Sequence, residues 1–214
     1  FTNQENFDTL LKTEKTDFLF FISSSFFKRF NAVDEFNRHL EITEEELKKN
    51  PYNFIHRIVL EKYRSLIPSN SSMQIFPYSI RKGANIYGII FGSKHILGVE
   101  KFLKIAWNKN KINGEANFDI DKDIDKAQPT LFPEFKQFTK IEKFENNLEE
   151  FISSKKNVTN IELYYFTYNN GHIAEHANNW LRANKNKKIS FKGHTKISWD
   201  SVKNNEIVVF KWLK

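Results

Sequence analysis

The chain has 214 residues, 40% of them hydrophobic, with a mean hydropathy of −0.57, the profile of an ordinary globular protein with one large or two small domains. Cysteine is absent, which excludes disulfide frameworks, thiolate nucleophiles and cysteine-ligated metal centres, and fits a cytoplasmic protein. Residues 1–150 carry 22 Lys+Arg against 22 Asp+Glu, whereas residues 151–214 carry 11 against 4, so the net charge of +7 lies wholly in the C-terminal segment.

A localised basic excess is the electrostatic footprint of a module that meets a polyanion. The same excess also describes a merely solvated surface. No apolar run approaches the roughly 18 residues of a membrane span, and no signal-peptide pattern opens the chain, so no membrane partner is expected. A chain that begins on Phe1 rather than Met is expected to be part of a longer protein. The 22 phenylalanines are expected mainly to fill core.

In chain order, Asn6–Lys12 reads as the end of a helix. Asp17-Phe18-Leu19-Phe20-Phe21-Ile22 is a short continuous apolar run, the pattern of a strand buried on both faces of a parallel sheet. Ser23-Ser24-Ser25 breaks it as turn and N-cap material. Thr43 starts a helix, with Glu44, Glu45 and Glu46 in its first turn. A second helix runs from about Tyr52 to Leu66, with apolar Phe54, Ile55, Ile58, Val59 and Tyr63 at helical spacing. Pro68 ends it.

Two strands follow, Met73–Ile80 and Ile86–Phe91, joined by the hairpin turn Arg81-Lys82-Gly83-Ala84-Asn85. Leu97–Trp107 is a helix. Residues 109–133 then lose periodicity. Asp119, Asp121, Asp123 and Asp125 alternate there, but an EF-hand loop needs Gly and Glu where this chain has Ile124 and Thr130. A solvated acidic loop is the expectation, and Gln128-Pro129-Thr130 with Pro133 marks a domain boundary.

Beyond it, Phe135–Ser153 is helical. Thr159-Asn160 caps a helix over Ile161–Tyr168, and Asn169-Asn170-Gly171 stops it with a left-handed turn. A third helix spans His172–Asn184, its apolar stripe made by Ile173, Ala177, Trp180 and Leu181. Strand-like segments Ile189–Lys192, Lys196–Trp199 and Ile207–Trp212 close the chain, the last two separated by the turn Lys203-Asn204-Asn205. Helix, helix, tight turn, helix and β-hairpin is the winged helix-turn-helix order.

In such a module the third helix presents to the major groove the face opposite its core stripe. That face holds His172, Glu175, His176, Asn178, Asn179 and Arg182, followed by Lys185, Lys187, Lys188, Lys192 and Lys196. Asn and Arg can make bidentate contacts to base edges, and lysines suit phosphates. Apart from Glu175, these are the expected contacts to nucleic acid, double-stranded DNA foremost. The alternative is a winged helix that binds protein, which Glu175 favours. His172 and His176, at i,i+4, are close enough to share a metal, but no third ligand is in view and no metal site is expected. His95 follows a strand without a placed catalytic partner. No GxGxxG, P-loop lysine motif or GxSxG occurs, so no complete active site is expected in this chain.

Ile75-Phe76-Pro77-Tyr78-Ser79-Ile80, then Tyr87-Gly88-Ile89-Ile90-Phe91-Gly92-Ser93-Lys94-His95-Ile96-Leu97-Gly98, resembles the three-Cys-motif partner proteins. Their phrase is apolar-apolar-Phe-Gly-Thr/Ser-x-His-Pro-x-Gly followed by a helix. Phe91, Gly92, Ser93, His95 and Gly98 carry the match, while Ile96 stands where Pro is usual. Trp107 and, more loosely, Asp17–Phe21 before Arg29-Phe30 extend it over most of the chain.

The resemblance implies an α/β fold. Residues 1–130 would be the C-terminal part of a Rossmann-like, methyltransferase-type sheet with a helical insert, and 134–214 a winged helix-turn-helix domain. It also implies a three-cysteine partner protein and a mobile-element or defence setting. Family members carry a glycine-rich turn and an Asp-Pro-Phe/Tyr-Gly motif, and neither is present. The cofactor expectation is therefore none in this chain, with S-adenosylmethionine belonging to a full-length protein. Three functions follow: a nucleic-acid-binding part of a methyltransferase-like protein, a nucleic-acid methyltransferase with its cofactor site upstream, and a scaffold for the three-cysteine partner.

Overall fold

The computed structural model describes residues 4–23, 43, 45–46, 52–129 and 132–213. It is a mixed α/β protein with two antiparallel three-stranded sheets among the described residues. The chain divides into two compact units, residues 1–110 with 114–120, and residues 111–113 with 121–214. Residues 121–129 thus fall with the second unit. Ser24, Ser25, Arg29, Phe30 and Glu44 lie outside the described residues.

In the first unit, α1 (Gln4–Lys12) precedes β1 (Phe18–Ser23), and a 3-10 turn at Tyr52–Phe54 leads into α2 (Ile55–Leu66). Thr43, read as a helix start, forms the reciprocal bonds of a capping box: its Oγ1 accepts the Glu46 amide at 3.2 Å, and the Glu46 carboxylate accepts the Thr43 amide at 2.8 Å. Most of the helix expected after it lies outside the described residues. β2 (Gln74–Lys82) and β3 (Asn85–Ser93) form the predicted hairpin, closed by a two-residue turn in which Gly83 has φ +59°. The strand order is β1-β3-β2, with β3 antiparallel to both neighbours.

β1 departs from the expectation of a strand buried on both faces. It alternates: Phe18 and Ile22 are buried, while Leu19 is 65% and Phe21 63% exposed. Phe18, Phe20 and Ile22 turn to a core shared with Phe7, Val59, Tyr63 and Ile90, with Phe7 and Tyr63 ring centroids 4.6 Å apart. Leu19 and Phe21 take the other face because successive side chains of a strand alternate, and that face of β1 is exposed. The parallel pairing expected there is replaced by an antiparallel one.

The other edge is covered. Pro77 stands in β2, where an edge strand tolerates a missing donor. Residues 115–117 then pair along it: the Ser79 amide donates to the Glu115 carbonyl at 2.7 Å, and the Asn117 amide to the Ser79 carbonyl at 3.0 Å. Asn110 holds this segment by donating to the carbonyls of Ala116 and Phe118 at 2.9 and 3.0 Å. The preceding helix, α3 (Ile96–Lys109), is the one predicted after the hairpin.

The second unit begins with a single helical turn, α4 (Asp123–Lys126). Here the solvated acidic loop needs correction. Asp123 is buried, its carboxylate accepting the Lys126 ammonium at 3.1 Å and the Lys140 amide at 3.4 Å. α5 (Lys140–Lys155) starts later than its apolar pattern suggested, because Thr139 and Glu142 form a capping box. β4 (Asn157–Thr159) runs into α6 (Asn160–Asn169), capped by Thr159 as predicted and stopped at Gly171, φ +73°.

α7 (Ala174–Asn184) buries Ala177, Trp180 and Leu181 of the predicted stripe, while Ile173 stands outside the helix as its N-cap. β5 (Ile189–Ser190) and β6 (Val209–Trp212) complete the sheet in the order β4-β6-β5. The strand expected at Lys196–Trp199 is replaced by α8 (Trp199–Lys203). Lys196 has φ +50°, which breaks extension, and the Ser198 hydroxyl accepts the Ser201 amide at 3.3 Å as an N-cap.

Candidate nucleic-acid interface

α7 is fixed by its buried stripe, so Glu175, Asn179 and Arg182 emerge on its exposed face at i, i+4 and i+7. A left-handed turn at Asn186, φ +62°, then reverses the chain and leaves Lys187 exposed ahead of β5. Lys192 and His194 are exposed on either side of Gly193, whose φ of +72° makes the tip of the loop after β5.

Several expected contact residues are already engaged. The Lys188 ammonium sits 2.6 Å from the Glu149 carboxylate on α5, and Lys196 lies 2.8 Å from Glu206. Lys185 lies over the Phe191 ring, 4.3 Å from its centroid. Asn178 is half-buried, and its amide oxygen accepts the Thr195 hydroxyl at 2.5 Å. This bond ties the loop after β5 to α7, and it leaves the Asn178 oxygen committed. Arg182, Lys187 and Lys192 have no carboxylate partner among the described residues, so they are the cations most available to phosphate.

His172 is a correction. It was expected on the exposed face of the third helix, but that helix begins at Ala174 and His172 is 3% exposed. Its ring stacks on Phe144 of α5, centroids 4.1 Å apart. Its Nδ1 lies 3.0 Å from the Nδ1 of half-buried His176. Burial, with the Lys140 cation and His176 adding to it, lowers the His172 pKa to about 2. Burial and Lys140 bring His176 down to about 4. The two rings are neutral at physiological pH and belong to the packing beneath α7. No group of three or more metal-ligating side chains occurs among the described residues.

Sequence reasoning missed the side chain that shapes the loop opposite α7. Asn160 is buried at the start of α6 and donates to the carbonyls of Lys196 and Glu206 at 2.8 and 2.9 Å, while its oxygen accepts the Val208 amide at 2.7 Å. One amide therefore clamps both ends of the segment that carries α8. Its only sequence signal is an Asn directly after a Thr cap.

The phrase Phe91–Gly98 makes a strand-to-helix turn in the first unit. Phe91 stacks on Phe102 with centroids 4.5 Å apart. The Phe18 ring fills the place a Gly92 side chain would need, and the Ser93 hydroxyl does the same at Gly98. The Ser93 hydroxyl accepts the His95 amide and donates to the His95 carbonyl, both at 3.0 Å. His95 Nδ1 accepts the Leu97 amide at 3.2 Å and so caps α3. At both glycines the absent side chain admits packing atoms of the same unit.

No family model, curated protein or solved structure matches this chain. No helix among the described residues is long and apolar enough to cross a membrane.

Proposed function

We propose that the second unit is a winged-helix module that binds double-stranded nucleic acid, DNA foremost, within a methyltransferase-like protein of the three-Cys-motif partner type. The observation that carries this reading is the order α5-β4-α6-α7-β5-β6 with sheet order β4-β6-β5, on which Arg182, Lys187 and Lys192 stand exposed without carboxylate partners among the described residues. The first unit supports the Rossmann-like part of the reading. β1 and β2 are both antiparallel to β3 and hence run the same way, and the helix α2 lies in the connection between them.

The test is duplex DNA affinity measured against salt. Binding should fall with a log–log slope of about −0.9 per phosphate contact, and glutamate at Arg182, Lys187 and Lys192 together should abolish it. A flat salt response would overturn the reading. It would favour a scaffold for the three-cysteine partner instead, and one feature suits that role: a hollow of about 340 Å³ in which Phe151, Ile161, Tyr165 and Phe166 meet Glu162, Asn169 and Asn170.

A further inference from the structure

Ahead of α5 the second unit exposes three phenylalanines in one short segment. Phe132, Phe135 and Phe138 are 59%, 74% and 44% exposed. Core filling does not account for them. Phe135 forms one wall of a cavity of about 220 Å³ that is also lined, among the described residues, by Asp125, Lys126, Gln128, Lys136 and Gln137. That is below the roughly 300–1,000 Å³ of drug-sized ligand pockets and suits a single flat ring system.

Both sides of this cavity are held in place. The Asp123 carboxylate bonds to Lys126 and to the Lys140 amide, which fixes α4 against the start of α5. On the other side Lys136 lies 2.8 Å from Glu142, the residue that completes the Thr139 capping box. The segment carrying Phe135 therefore enters α5 at a fixed angle, and α5 is the helix on which His172 and α7 pack.

We propose that this cavity receives one unpaired nucleobase of a nucleic-acid strand, an inference that rests on the nucleic-acid reading of the second unit. The chemistry matches a base more closely than an apolar side chain. Phe135 offers an open π-face for stacking, which tolerates any base. Gln128 and Gln137 each carry an amide able to pair with the donor–acceptor edge of adenine, and Asp125 accepts from an exocyclic amino group. Lys126 and Lys136 are already paired with Asp123 and Glu142, so the wall meets a base with amides and a carboxylate and holds no phosphate. An aliphatic guest would gain no hydrogen bond from the two amides and the carboxylate, which are exposed and would stay with water.

The test uses the full chain, a blunt DNA duplex, the same duplex with a short single-stranded adenine overhang, and free AMP, followed by fluorescence anisotropy. The overhang should tighten binding roughly tenfold over the blunt duplex, as expected for one stacked base. Phe135→Ala should remove that gain without changing blunt-duplex affinity, and Phe135→Trp should keep it. Phe135 is so exposed that neither variant threatens folding. Equal affinity for the two duplexes, or an overhang gain that survives Phe135→Ala, overturns the proposal while the duplex reading stands. AMP competing fully with no overhang gain overturns it in favour of a free-nucleotide site. Loss of both duplexes with a flat salt response overturns the parent reading as well.

Discussion

His172 and His176 meet Nδ1 to Nδ1 at 3.0 Å beneath the ring of Phe144. Such a contact holds one proton, with one ring donating and the other accepting, so a doubly protonated pair breaks it. It joins the turn after Gly171 to the first turn of α7, and the Lys140 cation at the head of α5 further disfavours added charge.

Acid should therefore loosen the second unit. Both folded-state pKa values, about 2 for His172 and about 4 for His176, lie below the unfolded value of 6.5. The unfolded chain then takes up protons first as pH falls. Stability is full above pH 6.5 and declines through the window down to about 4 for His176, and further towards 2 for His172. Each histidine adds a slope of about 1.4 kcal/mol per pH unit inside its window. Urea melts from pH 7.5 to 5 should show this decline, and His176→Asn should flatten it by the contribution of one group. An unchanged slope in that variant would show that the pair does not control the acid limb.

Asn160 should be among the most sensitive positions of the second unit. Asn160→Ala strands the carbonyls of Lys196 and Glu206 and the amide of Val208 around a buried void. An unsatisfied buried group costs about 1–3 kcal/mol, so a loss of roughly 2–4 kcal/mol in chemical denaturation is expected. Asn160→Asp should do no better, since a carboxylate cannot donate to two carbonyls. Hydrogen exchange should speed first in residues 195–208. Uniform loss across the unit, with no preference for that segment, would contradict a clamp.

In the first unit, Gly92→Ala puts a methyl group where the Phe18 ring lies. Overpacking of this kind costs about 1–3 kcal/mol. Phe18→Leu alone loses ring contacts with Phe7 and Phe20. In the Gly92→Ala background it should cost much less than it does alone, because it also relieves the clash. A double-mutant cycle with no coupling would place the glycine requirement elsewhere.

How much of this could be read from the sequence depended on range. Local signals were legible: Thr159 as a cap, Gly171 as a left-handed stop, and Ala177, Trp180 and Leu181 as one stripe. Thr139-x-x-Glu142 is also a written cap, but the apolar Phe135 and Phe138 before it extended the helical pattern too far back. β4 has three residues, too few to show alternation. What the sequence could not show were partners set by tertiary contact. His172 carries a helix-surface spacing, but it precedes α7 and is buried against Phe144 and His176. Lys188 reads like Lys187, and only the fold brings Glu149 to it.

That last difference makes the interface testable lysine by lysine. If phosphates are held by available cations, Lys187→Gln and Lys192→Gln should each lower the salt slope of duplex binding by about 0.9. Lys188→Gln should change it less, because its ammonium is shared with Glu149 at 2.6 Å. Glu149→Gln then becomes the decisive variant. It removes a carboxylate from α5, frees Lys188, and should raise both affinity and salt slope with little effect on folding, since a half-exposed ion pair contributes only about 0–1 kcal/mol. Weaker binding by Glu149→Gln would mean that the Glu149–Lys188 pair positions the turn after α7 rather than masking a phosphate contact.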